Sequence, residues 1–235
     1  MKILCFTVNP IEENCYLLWD ETTLDAAIID CGAYEKGEKE RIRQQINANH
    51  LQLCYLLQTH THFDHIYGLP TFAKEYNLAP MCHSDDLPIY KAMPMMSSQL
   101  VGLPIEGELP IVRQCLLDGQ EIPLGTLSIR VIHTPGHTPG GVCFWIESEN
   151  CLFTGDTLFR CSLGRSDLPG GNMMQEKILK QNPDTGLVLG ISGTGHLFLL
   201  ENGGGWIMRN TRENLLFLLK EYELWNNPQF LKFCG

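Results

Sequence analysis

The sequence predicts a layered α/β domain, on three observations. Short β-like runs alternate with helical stretches along most of the chain. The histidines and aspartates that could carry chemistry fall directly after apolar, strand-like runs. Hydrophobic residues make up 44% of the 235 and charged residues 19%, which provides for a sizeable core and excludes wholesale disorder.

The elements follow in order. Residues 3–8, 15–19 and 26–29 are short β-like runs separated by turn residues, and Asp30-Cys31-Gly32 breaks the third. Residues 35–48 are charged, with Ile42 and Ile46 at i, i+4, the spacing of an amphipathic helix. Residues 53–57 form a buried strand that runs into Gln58-Thr59-His60. A helix over 69–76 is ended by Asn77-Leu78-Ala79-Pro80. Residues 89–107, rich in Pro, Gly and Met, read as a loop or lid. A second strand set follows at 127–132, 142–146 and 151–153, and Leu127, Ile129 and Val131 alternate with the period of a strand. A helix over 173–181 stops at Asn182-Pro183. Residues 1–185 are expected to form the domain, with 186–235 as an atypical tail packed on it or completing it.

The net charge of −10 makes a polyanion an unlikely bulk partner, so no nucleic acid is expected. No apolar run is long enough to span a membrane. Asn9, Pro10, Glu12, Glu13 and Asn14 stand where a signal peptide would need an unbroken apolar stretch, so the expected location is cytoplasmic. The ten cysteines are scattered and form no Cys-x-x-Cys pair; they read as reduced thiols used as small core residues.

The strongest chemical signal is Thr59-His60-Thr61-His62-Phe63-Asp64-His65. Three of only eight histidines lie within six residues, together with an aspartate. In an extended backbone i and i+2 point the same way, so His60 and His62 can converge on one metal ion. Asp64 and His65 come where a helix could start and turn them towards a second. Imidazole suits zinc, iron and other first-row ions, and carboxylate adds hard donors. A second feature is Thr134-Pro135-Gly136-His137-Thr138-Pro139-Gly140-Gly141, a rigid loop that can hold His137 as a third ligand for the first ion. His133, on the strand side of that loop, reads as a packed or hydrogen-bonded histidine. The third feature is Gly155-Asp156 at the end of an apolar strand. A lone buried carboxylate there is costly unless cations stand beside it, and then it can bridge two of them.

Together these segments resemble the metallo-β-lactamase superfamily: His-x-His-x-Asp-His, then the loop histidine, then the Gly-Asp strand end. Within it the chain is most similar to the glyoxalase II (hydroxyacylglutathione hydrolase) branch, through Asp30-Cys31-Gly32, residues 134–140, residues 155–159 and Gly164-Arg165-Ser166-Asp167-Leu168. The resemblance implies a four-layer αββα sandwich with a dinuclear site at one edge of its sheets. It implies that His60, His62 and His137 bind one ion, that Asp64 and His65 bind a second, and that Asp156 bridges. Secreted zinc β-lactamases usually lack that bridging aspartate. The implied cofactor is two divalent ions, zinc first, with iron or manganese as alternatives. The implied reaction is attack of metal-activated water on a small acyl thioester, whose thiolate can leave without a dedicated general acid. Alternatives are a single-iron persulfide dioxygenase on the same fold, and a metal-binding protein with impaired catalysis. Arg165 and Asp167 read as a structural ion pair. The oligomeric state is not given by the sequence.

The resemblance breaks in the tail. The family completes its second metal site with a histidine in Gly-His-Gly, whereas this chain has Ser192-Gly193-Thr194-Gly195-His196-Leu197. His196 stands either as the displaced ligand or as a tail histidine. Read one base back, codons for 192–195 permit Gly-His-Gly, and those for 205–209 permit Met-Asp-Tyr-Glu. The tail from about Gly186 is therefore open to a frame-shifted origin, which the nucleotide sequence tests. About fifty residues follow Pro183, fewer than the glutathione-holding helical domain of eukaryotic-type glyoxalase II, which counts against glutathione as the thiol carrier.

Overall fold

The computed structural model describes residues 1–149, 151–159, 162–168, 170–172 and 197–199. Two sheets face each other. The first has six strands in the order β1 (Lys2–Val8), β2 (Glu13–Trp19), β3 (Asp25–Ile29), β4 (Gln52–Leu57), β5 (Pro80–His83) and β6 (Gln114–Leu116). Its first three strands are antiparallel, and β3 to β6 run parallel. The second sheet is antiparallel, ordered β10 (Cys151–Phe153), β9 (Val142–Ile146), β8 (Leu127–His133), β7 (Glu121–Leu124), with the strand Leu197–Leu199 outside β10.

Strand periodicity decides which residue faces which layer. On β2, Cys15, Leu17 and Trp19 pack with Ile42 and Ile46 of α1 (Lys36–Ala48) and with Leu69 and Phe72 of α3 (Leu69–Tyr76). The intervening Tyr16 and Leu18 pack with Ile129, Val131, Phe144 and Phe153 of the second sheet. Both faces of the first sheet are thus covered, which is why β2 reads as a nearly unbroken apolar run. Each of these large side chains contributes roughly 1.5–3 kcal/mol by leaving water. Helices, first sheet and second sheet give three layers of the αββα sandwich. Ile132, Cys143 and Leu152 form a small buried cluster on the far face of the second sheet. The helix expected over 173–181 lies outside the described residues, as do His196 and, apart from Leu197–Leu199, the tail from Gly186.

One expectation is corrected. Residues 89–107 are not a loop throughout: α4 spans Leu87–Leu100. Pro88 stands in its first turn, where no N–H is needed, and Pro94 is tolerated inside it. Tyr90, Met93 and Ser97 are buried at i, i+3 and i+7, and this helical stripe outweighs the proline signal. The short strands β5, β6 and β7 carry too few residues for periodicity to mark them. The cysteines match their reading: among the described residues eight are free thiols, five of them buried. No helix of the described residues is long and apolar enough to cross a membrane.

Strand direction places the chemistry. Because β3, β4 and β5 are parallel, their C-terminal ends lie on one edge, carrying Asp30, the histidine cluster and the turn Ser84–Asp86. β8 and β10 are both antiparallel to β9, so they too end together, before His137 and Asp156. The sheets are tied at this edge by Val142 N–H donating to the Thr59 carbonyl, 2.8 Å.

Candidate metal centre

The histidine loop leaves β4 in an extended conformation and ends in the short helix α2 (Phe63–Ile66), which His62 precedes as N-cap. Thr59 sets the first ring. Its hydroxyl donates to Asp30 Oδ2 at 2.7 Å, and its N–H donates to Asp30 Oδ1 at 2.7 Å. With its one proton given to Asp30, the hydroxyl accepts from His60 Nδ1, 3.2 Å away. His60 Nε2 is then a bare lone pair, and it is buried with no hydrogen-bond partner among the described residues. His137 is set in the same way: Nδ1 donates to the Arg165 carbonyl at 2.7 Å, so Nε2 faces inward.

These inward nitrogens converge. His137 Nε2 lies 2.9 Å from His62 Nδ1, and the rings of His60, His62 and His137 stand 4.6–4.8 Å apart, edge to face. Their donor atoms all fall within 4.8 Å of one another. Ligand nitrogens around a tetrahedral zinc lie about 3.3 Å apart, given bonds of 2.0–2.1 Å. An orphaned lone pair beside two convergent imidazoles is what a first-row cation fits. Burial, then repulsion from neighbouring imidazoles, holds His60 far below its usual range, and the same two causes bring His62 to about 3. Both are therefore neutral near pH 7, as ligands must be.

The other half of the cluster is built of carboxylates around His65. His65 Nε2 lies 3.7 Å from Asp64 Oδ2 and 3.4 Å from Asp156 Oδ1, while Asp156 Oδ2 lies 3.4 Å from His137 Nε2. Asp156 thus turns one oxygen to each half. It reaches this position because Gly155 has φ +47° and no side chain; a Cβ there would stand 2.1 Å from the Thr59 hydroxyl. On the outer side of His65, Nδ1 lies 3.2 Å from Asp30 Oδ2 and 3.7 Å from Glu13 Oε1. Burial acts to lower His65, but Asp64, Asp30 and Asp156 outweigh it and raise its pKa well above the usual range. Burial pushes Glu13 far up, and among the described residues both of its carboxylate oxygens are buried without a hydrogen-bond partner. Burial also raises Asp64. It acts the same way on Asp156, where the charge and hydrogen bond of His65 prevail and bring it to about 2.

The structure therefore brings His60, His62, Asp64, His65, His137 and Asp156 into one cluster, from three separated segments. His133 is hydrogen-bonded, Nε2 to the Pro139 carbonyl at 2.9 Å, and its ring stacks on His83 at 4.0 Å. Arg165 and Asp167 form an exposed two-point ion pair, at 2.9 and 3.0 Å, and it is the Arg165 carbonyl that serves His137. Sequence reasoning missed the buried carboxylates behind the ligands: Glu13, Asp86 and the role of Asp30. Asp30 carried a signal, an aspartate at a strand end before glycine; Glu13 and Asp86 carried none.

Comparisons with known proteins find relatives along most of the chain. The family model described as the metallo-beta-lactamase superfamily matches residues 8–216. Hydroxyacylglutathione hydrolase GloC of Haemophilus influenzae is 33% identical over 198 residues, covering 81% of this chain and 90% of that protein. Among solved structures, BLEG-1, a B3 metallo-beta-lactamase, superposes with a TM-score of 0.65 at 31% identity, covering 74% of this chain and 81% of that one. TTHA1623, solved in a di-iron-bound form, superposes with a TM-score of 0.64 at 32% identity, covering 77% and 88%.

Proposed function

Because the chain belongs to the metallo-β-lactamase superfamily, we propose that it is a metallohydrolase that cleaves a small acyl thioester. The observation that carries the reading is the bare Nε2 of His60 beside the convergent His62 and His137 nitrogens, with Asp156 facing both this triad and His65. His60, His62 and His137 hold the first ion; Asp64 and His65 hold the second; Asp156 stands between them. Two divalent ions bound there supply Lewis acidity to a carbonyl oxygen and bring a shared water's pKa near 7.

The chain's own residues do the rest. His60, His62 and His65 are at most 7% exposed, whereas the side chains of Asp64 and Asp156 are 15% and 18% exposed. Those two carboxylates meet solvent; Asp64, which burial raises, is the one placed to take the proton of an attacking water, while Asp156, brought to about 2, stays ionised between the two halves. A C–O bond forms at the acyl carbon, the C–S bond breaks, and the thiolate departs with its electron pair. A thiol of pKa about 8.5 leaves without a dedicated acid. The likeness to GloC supports a 2-hydroxyacyl thioester of glutathione as the first substrate to try. That relative is covered over 90% of its length, which removes the length of the tail as an argument against glutathione. Zinc is the proposed metal, and the di-iron form of TTHA1623 supports iron as the alternative.

The test is elemental analysis of the purified protein beside a panel of S-2-hydroxyacylglutathione and short acyl thioesters of other thiols. Thioester turnover that rises with zinc or iron occupancy is expected. A fully loaded protein that cleaves none of the panel overturns the substrate class.

A further inference from the structure

Outside the ligand cluster, one side chain grips every loop that carries a first-ion ligand. Asp86 is fully buried and ends the 3-10 turn Ser84–Asp86. Its Oδ2 accepts the Thr61 N–H at 3.0 Å and the Thr138 hydroxyl at 3.0 Å, and its Oδ1 accepts the Gly140 N–H at 2.7 Å. Its backbone carbonyl accepts the Thr61 hydroxyl at 3.1 Å. Thr61 is the residue between His60 and His62, and Thr138 directly follows His137. A Cβ at position 140 would stand 2.6 Å from the Asp86 nitrogen and 2.8 Å from Oδ1, so glycine there is what lets the carboxylate reach the loop.

We propose that Asp86 is the positioning residue for the first ion: it fixes the separation of the His60–His62 segment from His137 without touching any of the three rings. The inference rests on the ligand assignment made above. Burying a carboxylate costs free energy that its hydrogen bonds must offset. A fold that needed only a staple between two loops could use a neutral group. Four donations converging on one residue from both ligand-bearing segments set the relative placement of three imidazoles, which a metal ion reads to a few tenths of an ångström. Asp30 serves both halves, since it holds Thr59, which orients His60, and lies 3.2 Å from His65 Nδ1, whereas the bonds of Asp86 go to the first-ion segments.

The experiment is a zinc titration of the full chain against a competing chelator, alongside thermal melting of the metal-free protein. Asp86→Asn keeps the shape but sets an amide N–H or an altered acceptor against Thr61 and Thr138. It should weaken the first ion about 10–100-fold, the usual scale for losing a group behind a ligand, while the second site stays within about twofold. Thr138→Val, which removes one donor and risks the fold less, should lose a few-fold at the same site. Asp20→Asn is the control: Asp20 is a buried carboxylate that accepts from Thr22 and Thr126, remote from the cluster. It should lower the melting temperature and leave zinc affinity unchanged. Wild-type affinity in both Asp86→Asn and Thr138→Val, with affinity lost in His62→Ala, overturns the inference alone. So does an equal loss of affinity in Asp20→Asn, which would make the effect general loosening. Wild-type zinc binding by His62→Ala overturns the ligand assignment and the inference with it.

Discussion

The two halves of the cluster are held by different physics. Around His60, His62 and His137, two of the rings give their outer N–H to an oxygen, and the loops meet on Asp86. Around His65, four carboxylates crowd one imidazole, and among the described residues Glu13 has no hydrogen-bond partner for either oxygen. The first half is held by hydrogen bonds of its own; the second gathers carboxylates that a cation would draw together. Hydrogen bonds that converge on a shared acceptor preorganise a site, whereas crowded carboxylates make it depend on its ligand.

The largest expected effect comes from breaking the preformed half. His62→Ala should cut thioester turnover roughly 10³-fold or more, the scale on which one preorganised electrostatic group acts, and steady-state kinetics at saturating zinc reads it. Chelation comes next. Removing both ions from wild type should lower stability by about 4 kcal/mol for each, about 8 kcal/mol together, if they had been present at a thousandfold excess over Kd. Most of that loss should persist in Asp86→Asn if the second half is the one that depends on its ligand, and equilibrium unfolding with and without chelator checks this.

A sharper contrast sets two carboxylates of the second half against each other in the metal-free chain. Glu13→Gln replaces a buried carboxyl that has no hydrogen-bond partner among the described residues with an amide that has none either, so it should change stability by less than about 1 kcal/mol. Asp30→Asn disturbs an acceptor of two buried hydrogen bonds from Thr59 and should lower it by about 1–3 kcal/mol. Equal losses in urea unfolding would show that both halves rest on ordinary hydrogen bonding. The smallest effect lies outside the cluster. Burial, then the stacked His133, lowers the pKa of His83. Below about pH 6.5 the unfolded chain takes up a proton that folded His83 refuses, so stability falls as pH drops below that value. His83→Gln should flatten that slope by a fraction of a kcal/mol across pH 5 to 7.5.

Much of this was legible in the sequence because the local signals were dense. The run from Thr59 to His65 puts its ligands within one turn of chain, and the alternation on β8 and the periodicity of α1 each span enough residues to show. What was not legible is what non-local contact decides. α4 was masked by Pro88 and Pro94, although its buried stripe is helical. β5, β6 and β7 are three or four residues each. Asp86 lies 25 residues from Thr61 and 54 from Gly140, and nothing in His83-Ser84-Asp85-Asp86 marks it as the residue both loops converge on. Glu13 begins a strand like any solvent-facing glutamate, and only the fold buries it.

The most direct test is a crystal grown with zinc and read by anomalous scattering at the zinc edge. The account predicts a peak within about 2.0–2.1 Å of His60 Nε2, His62 Nδ1 and His137 Nε2, with a second beside Asp64 and His65 and the Asp156 carboxylate between them. Zinc found only elsewhere, for example at the outlying His83, Asp85 and His133 group, with the three convergent nitrogens bare, would contradict it.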